Sequence, residues 1–553
     1  MQRSALTLIS LFWSAHVWAT SAMDADALAA CNAPGFQTVL QAAPARPAAP
    51  PDASPTPQAV WLNRNLLQWP QAQPQGSFKL FYSGRGQLQV EVGKAAAGFD
   101  GFVTLAVAPG ALPEALATRF KYVKPGVVLG LPAGTQPPLA ELLRQQVLVA
   151  QVDAQGIVTQ VAATQLAGAL DDLYAAAGQE PQLGATPLKA TTRFKLWAPT
   201  AHTVTLCDYP NATADASRAV ALQRDAATGI WHAELPDAGQ GHYYTYLVDA
   251  FVPGVGLVRN RVTDPYSVSL NADSKRSYIA DLNSPALKPA GWDRHNRPKA
   301  LAAQVDMTVY ELHVRDFSLQ DASVPEAHRG KYLAFTHTAS NGMRHLRKLA
   351  QAGITDVHLL PVFDLATVPE QGCVSPTIAT PEPGDSTAPQ AATQAVAATD
   401  CFNWGYDPFH FNAPEGSYAP DAQDGAKRVI ELRRMVMALH TAGLRGGMDM
   451  VYNHTTASGQ VERAVLDRTV PGYYQRLDAL GNVERSTCCD NTATENLMMA
   501  KLMLDSVELW TRHYRMDSYR FDLMAHQPRE AMVALQKRVN QAAGQHVTLI
   551  GEG

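Results

Sequence analysis

A chain of 553 residues, 46% hydrophobic and 17% charged, has room for about three domains and enough apolar side chains for ordinary cores. Its net charge of -5 at pH 7, with no basic stripe, argues against nucleic acid as a partner and suits a neutral polymer better. Residues 1–22 read as an export signal: Arg3, an apolar run from Ala5 to Trp13, then small residues suited to cleavage near Ala19 or Ala22. That run is too short to span a bilayer as a helix, so no membrane span is expected. The expected location is outside the cytoplasm, in the periplasm, at the cell surface or secreted. Leu28-Ala29-Ala30-Cys31 has the form of a lipoprotein processing box, which would place a lipid anchor on Cys31. Asp24 and Asp26 separate that box from the apolar run and disfavour the anchor.

Residues 23–57 are expected to be a linker, because Gln41 to Pro57 is rich in Pro and Ala and has almost nothing to bury. From 58 to 186, short alternating runs such as Ser77 to Tyr82 and Leu88 to Val92 are broken by Gly and Pro clusters, which predicts a β-sandwich. Helical patches are expected around Leu139 to Arg144 and Gln165 to Ala176. Trp61 and Trp69 read as core residues before they read as sugar platforms. Residues 187–285 form a second β-rich module, with strand-like runs at Arg193 to Ala198, Thr203 to Cys207, Trp231 to Leu235 and Tyr243 to Asp249. This module resembles carbohydrate-binding module family forty-eight. Trp197, Trp231 and Tyr244 sit where such modules carry aromatics, and they are expected to be core.

From residue 300 to 553 the pattern changes to alternating strands and helices. Thr308 to Val314 and Ile354 to Val362 are runs rich in Val, Ile and Leu, as strands buried on both faces require. Met343, Leu346 and Leu349 mark a helix between them, and Met503, Val507, Trp510 and Tyr514 share a face of another. Met532, Leu535 and Val539 share a third, with Pro528 near its start and Gly544 just past its end. Strands alternating with helices imply a parallel sheet. Glu370 to Asp400, rich in Ala, Thr and Pro, is expected to be a mobile loop, and Thr456 to Thr494 a second long one.

The organising stretch is Met516 to His526. As a strand it projects Ser518, Arg520 and Asp522 to one side and Tyr519, Phe521 and Leu523 to the other. Gly447 to Thr455 carries Asp449 and ends in Asn453 and His454, and Val547 to Gly553 ends in Glu552. In (β/α)-barrels catalytic groups stand at the C-terminal ends of strands in this manner. A buried Arg-Asp ion pair in an ordinary sheet explains Arg520 and Asp522 taken alone.

The order of these blocks resembles the α-amylase family of glycoside hydrolases. FNWGYDP (Phe402 to Pro408), LLPVFDLAT (Leu359 to Thr367) and STCCDNTATE (Ser486 to Glu495) resemble its type I pullulanase branch, over roughly Pro187 to Gly553. The fold implied is multidomain: N-terminal β-sandwich modules followed by an incomplete (β/α)8 TIM barrel holding the first five strands. The function implied is retaining hydrolysis of α-1,6 links in pullulan, amylopectin and related α-glucans, the polysaccharide being the partner. Retention needs a nucleophilic carboxylate and an acid/base carboxyl about 5 Å apart. Motif by motif, Asp522 matches the nucleophile and Glu552 the acid/base. Arg520 would hold Asp522 ionised, and Glu552 needs a less solvated setting to carry a proton. The resemblance also implies that Asp449 orients Arg520, Tyr406 stacks on the sugar at the cleavage point, and His454 and Asn453 contact it. His526 would act one subsite further. Ser518 and Tyr519 stand where the family has Gly and Phe.

Two other readings remain: an α-1,4-acting amylase relative, and a noncatalytic glucan-binding protein. The family's remaining strands and its His-Asp block, which brings a third catalytic carboxylate, have no counterpart before Gly553, so the chain is expected to be truncated and inactive alone. No cofactor is required by this chemistry. Structural calcium is compatible with the acidic loops, although no stretch has a ligand spacing that names a site.

The six cysteines lack zinc-site spacing. Cys373 and Cys401 flank a segment too polar to order itself and are expected to bridge it. Cys488 and Cys489 are adjacent and are either paired or reduced.

Overall fold

The structure, a computed structural model, describes residues 25–44, 58–378 and 383–553. The expected export signal at 1–22 lies outside the described residues. So does most of the Pro/Ala-rich stretch. No helix among the described residues is long and apolar enough to cross a membrane.

Part of the expected linker is folded. Ala25–Asn32 is a helix that buries Ala27 and Cys31, and Gln37–Ala42 is a strand pairing antiparallel with Gly256–Val262. Cys31 is bonded to Cys207, which is incompatible with a lipid on its sulfur and agrees with the anchor being the disfavoured reading. For residues 25–42 the structure departs from the linker expectation because their partners, Cys207 and the strand Gly256–Val262, are far away in the chain.

Between residues 59 and 165 eight strands join in one path, in which Gly101–Val107 pairs with Ser77–Ser83 along its first part and with Gly126–Gly130 through its last two residues. Trp61 and Trp69 are buried, so the core reading holds for both. Helices stand at Leu139–Leu142 and Ala167–Leu173, within the predicted patches. The following module packs a six-stranded sheet against a four-stranded one. Phe194 from one sheet meets Tyr244 from the other edge to face, ring centroids 5.1 Å apart, while Trp197 and Trp231 are buried beside them.

The C-terminal region is a five-stranded, wholly parallel sheet in sequential order. Its strands are β1 (Val309–Leu312), β2 (Asp356–Leu359), β3 (Arg445–Met450), β4 (Ser518–Phe521) and β5 (Thr548–Gly551). The helices between them are α1 (Asn341–Gln351), α2 (Gly425–Thr441), α3 (Leu497–His513) and α4 (Arg529–Ala543). Ser340 caps α1 by accepting from the Met343 amide, and Gly544 ends α4 in the left-handed conformation that favours glycine. The predicted faces are the buried ones: Met503, Val507, Trp510 and Tyr514, then Leu535 and Val539. Burial of one such aliphatic or aromatic side chain contributes about 1.5–3 kcal/mol.

The segment from 370 to 400 is more structured than expected. It carries an exposed helix at Ala388–Val396 and is closed by a Cys373–Cys401 disulfide, as the sequence suggested. Cys488 and Cys489 are also paired.

A buried polar cluster fastens the second module to this region. Arg428 of α2 is fully buried and reaches Glu370 at 2.8 Å and Asp364 at 3.5 Å. Asp364 also accepts from Ser274 and from His410, whose other ring nitrogen meets Thr263, so the module's own residues complete the network. Glu415 accepts from the Leu365 and Ser417 amides. Burial raises Glu370 to about 7, against the Arg428 charge that lowers it, and burial also raises Glu415 well above its ordinary value.

Candidate active site

The site is built from the C-terminal ends of β3, β4 and β5. Register sets it: Asp449 lies beside Arg520 and Phe521 beside Gly551 in adjacent parallel strands, so the residues just past the ends converge. Tyr519 and Phe521 are buried among the helices, while Arg520 faces the opposite side, as the alternation predicts.

Arg520 is the hub. Its guanidinium lies 3.1 Å from Asp449, 3.5 Å from Asp522 and 2.6 Å from Glu552. Tyr406 donates its hydroxyl to Asp449 at 2.5 Å and accepts from Arg520 at 3.3 Å. The Asp522 and Glu552 carboxyls share the Arg520 guanidinium and lie close enough to alter each other's titration. Leu523, with φ at +43°, turns the chain after Asp522 and aims its amide at Glu552, 3.3 Å away.

His454 follows β3, is buried, and meets the Tyr406 carbonyl at 2.8 Å with one ring nitrogen and the Asn453 amide at 3.0 Å with the other. Burial lowers its basicity, so it is neutral near pH 7. His526 stands farther out, 2.8 Å from Ser486. Every residue the sequence reading named is therefore in one region, with His526 at its rim.

The protonation order differs from the expectation. Asp522 is raised, chiefly by burial and then by its hydrogen bond with Glu552. Glu552 is lowered, chiefly by the Leu523 amide, with Asp522 and Arg520 adding to the effect. The Glu552 side chain is also 41% accessible and takes the shortest of the three Arg520 contacts. Asp449 is raised to about 6 by burial, and Arg520 only partly offsets this.

Two groups escaped the sequence reading. Glu311 on β1 adds negative charge near Asp449 and Tyr406, and its signal was a lone acid in an apolar run. The Cys488–Cys489 pair has its sulfurs within 4.8 Å of a His454 ring nitrogen, which only folding reveals. Paired sulfurs are poor metal ligands. Asp364, Glu370 and Glu415 also bring oxygens within 4.8 Å of one another, but Arg428 already supplies a cation there.

Comparison with known proteins bears out the resemblance to pullulanases. Residues 56–172 match the Pullulanase N2 domain, and residues 182–267 match carbohydrate-binding module 48, the isoamylase N-terminal domain. A pullulanase of Klebsiella pneumoniae is 36% identical over 90% of this chain and 49% of its own length. Pullulanase 1, chloroplastic, of Arabidopsis thaliana is 35% identical over 90% of this chain and 52% of its own. The crystal structure of Klebsiella pneumoniae pullulanase complexed with maltotriose superposes with a TM-score of 0.82 at 35% identity, covering 90% of this chain and 51% of that one. The chain thus spans about half the length of the relatives it matches.

Proposed function

We propose that this chain contributes the nucleophile and the acid/base of a debranching glycoside hydrolase, which cleaves α-1,6 links in an α-glucan by double displacement. The observation that carries the reading is Arg520 holding Asp449, Asp522 and Glu552 together at the ends of adjacent parallel strands. In this reading Asp522 attacks the anomeric carbon and Glu552 protonates the leaving oxygen, then draws a proton from water to release the sugar. Asp449 and Tyr406 fix the guanidinium, and Asn453, His454 and His526 contact the glucan.

A bound sugar would displace water from Glu552 and raise its pKa, while Arg520 turned toward Asp522 would keep that carboxylate ionised. Substrate binding would thereby reverse the protonation order of the open site. The sequential parallel sheet supports reading β1 to β5 as the first part of an eight-stranded (β/α) barrel. The three disulfides support a location outside the cytoplasm. Structural calcium remains outside this proposal.

The test is product analysis on pullulan, with a chain carrying the relatives' full length. Maltotriose is the expected product; panose or isopanose would assign the site to α-1,4 links instead. Retained glucan binding without turnover would favour the noncatalytic reading.

A further inference from the structure

A second cavity lies away from the candidate cleft, between the N-terminal segment, the second module and the loop after β2. It measures about 790 Å³, within the range of about 300–1,000 Å³ typical of small-ligand pockets. Its wall carries five cationic side chains, Arg261, Lys275, Arg276, Arg463 and Arg468, against two acids, Asp273 and Glu462. Lys275 is 3.7 Å from Asp273. Among the described residues, none of the four arginines has a carboxylate within ion-pair distance.

Their hydrogen bonds go to neutral oxygens. Arg261 donates to the carbonyls of Cys31, Ala33 and Gly35. Arg276 donates to those of Asn211 and Ala214, and Arg468 to those of Phe36, Arg261 and Glu462. Arg468 is only 2% exposed, and its Nε has no partner among the described residues. Burial, with the neighbouring Arg261 charge, pulls Arg468 down to about 10, and the same two influences lower Arg276. Buried charge without a counter-charge is costly, and an anion in the cavity would offset that cost.

The rest of the lining narrows the anion. Phe36 and Tyr209 each already carry a guanidinium over the ring, Arg468 at 4.8 Å and Arg276 at 3.9 Å, which leaves recognition to charges and hydrogen bonds. Thr213, Asn271, Gln371 and Gln423 supply hydroxyl and amide groups, and the Gln423 Oε1 is an acceptor without a donor. Cations beside hydroxyl and amide groups, with the Gln423 Oε1 still unpaired, match a phosphate attached to a polyol.

We propose that this cavity binds a phosphomonoester carried on a glucose unit, either free or borne on a glucan chain. The cavity is separate from the cleft but adjoins it: Thr367 lines the wall and hydrogen-bonds Asp407, next to Tyr406.

Titration calorimetry of the whole chain tests this with glucose 6-phosphate, glucose and inorganic phosphate. The expected result is one saturable site for glucose 6-phosphate, at least tenfold tighter than inorganic phosphate, with no heat from glucose. Arg463→Gln, at an exposed position, and Arg276→Gln should each weaken binding at least tenfold, with Arg463→Gln leaving the melting temperature unchanged. Retention of amylopectin before but not after phosphatase treatment, without binding of glucose 6-phosphate, would assign the chain-borne form. Equal affinity for inorganic phosphate would overturn the sugar assignment. Binding of neither phosphorylated probe, or binding unaltered in both variants, would overturn the site.

Discussion

Two arginines in this protein each stand among three carboxylates, and the two clusters have opposite characters. Arg520 holds Asp449, Asp522 and Glu552 where strands end and water enters. Arg428 pairs with Glu370 and Asp364, with Glu415 close by, and these four side chains are all buried. Nearly identical chemistry therefore yields a set of groups able to exchange protons with a ligand in one place, and a rigid clamp between module and sheet in the other. Solvent access decides between them, because burial fixes protonation while exposure leaves it open to a partner.

The sharpest way to break this contrast is Asp522→Asn in a chain of the relatives' full length. Loss of hydrolysis by about four orders of magnitude is expected, read as reducing-sugar release, with the denaturation midpoint little changed. Residual activity within tenfold of the parent would remove Asp522 from its role. The second test exchanges the arginines. Arg428→Ala should cost about 3–5 kcal/mol of stability, because it strands buried carboxylates, whereas Arg520→Ala, which strands Asp449 but leaves Glu552 in contact with water, should cost less. Urea denaturation measures both, and equal losses would dissolve the distinction drawn here.

Protonation offers a third test. Glu370 titrates at about 7 in the folded chain against an ordinary value of 4.5, and burial raises Glu415 well above its own ordinary value. A raised acid binds its proton more tightly when folded, so its stabilisation is complete below about pH 4.5 and is lost as pH rises through about 7. The melting temperature should therefore fall across that interval. Glu415→Gln, which cannot ionise, should flatten the fall; an unchanged slope would show that the cluster does not drive it. His358, lowered to about 4, acts with the opposite sign, so the comparison of variant with parent isolates the acids.

The smallest effect belongs to Tyr406→Phe, which removes one hydroxyl from Asp449. A loss of about 1 kcal/mol in transition-state binding, roughly fivefold in kcat/KM, is expected. A hundredfold loss would mean that Tyr406 does more than steady the carboxylate.

The exposed cluster was legible in sequence and the buried one was not. Asp449, Arg520, Asp522 and Glu552 lie at the ends of short strand-like runs, where period-two alternation and motif order both speak. Asp364, Glu370, Glu415 and Arg428 spread over more than sixty residues with no shared period, and only the packing of α2 against the second module unites them. The same limit hid the strand at Gln37–Ala42, whose partner lies inside the second module, more than two hundred residues away. The faces of α3 and α4 were readable because helical spacing is local, whereas the Glu552 environment depends on what surrounds the strand end.

The bond between Cys31 and Cys207 makes the first folded segment inseparable from the second module. A protease nick anywhere between residues 44 and 58 would leave two fragments that migrate together on a gel until a reductant is added. Cleavage there would be silent to any assay run under oxidising conditions, and an amino-terminal tag would still report on an intact particle.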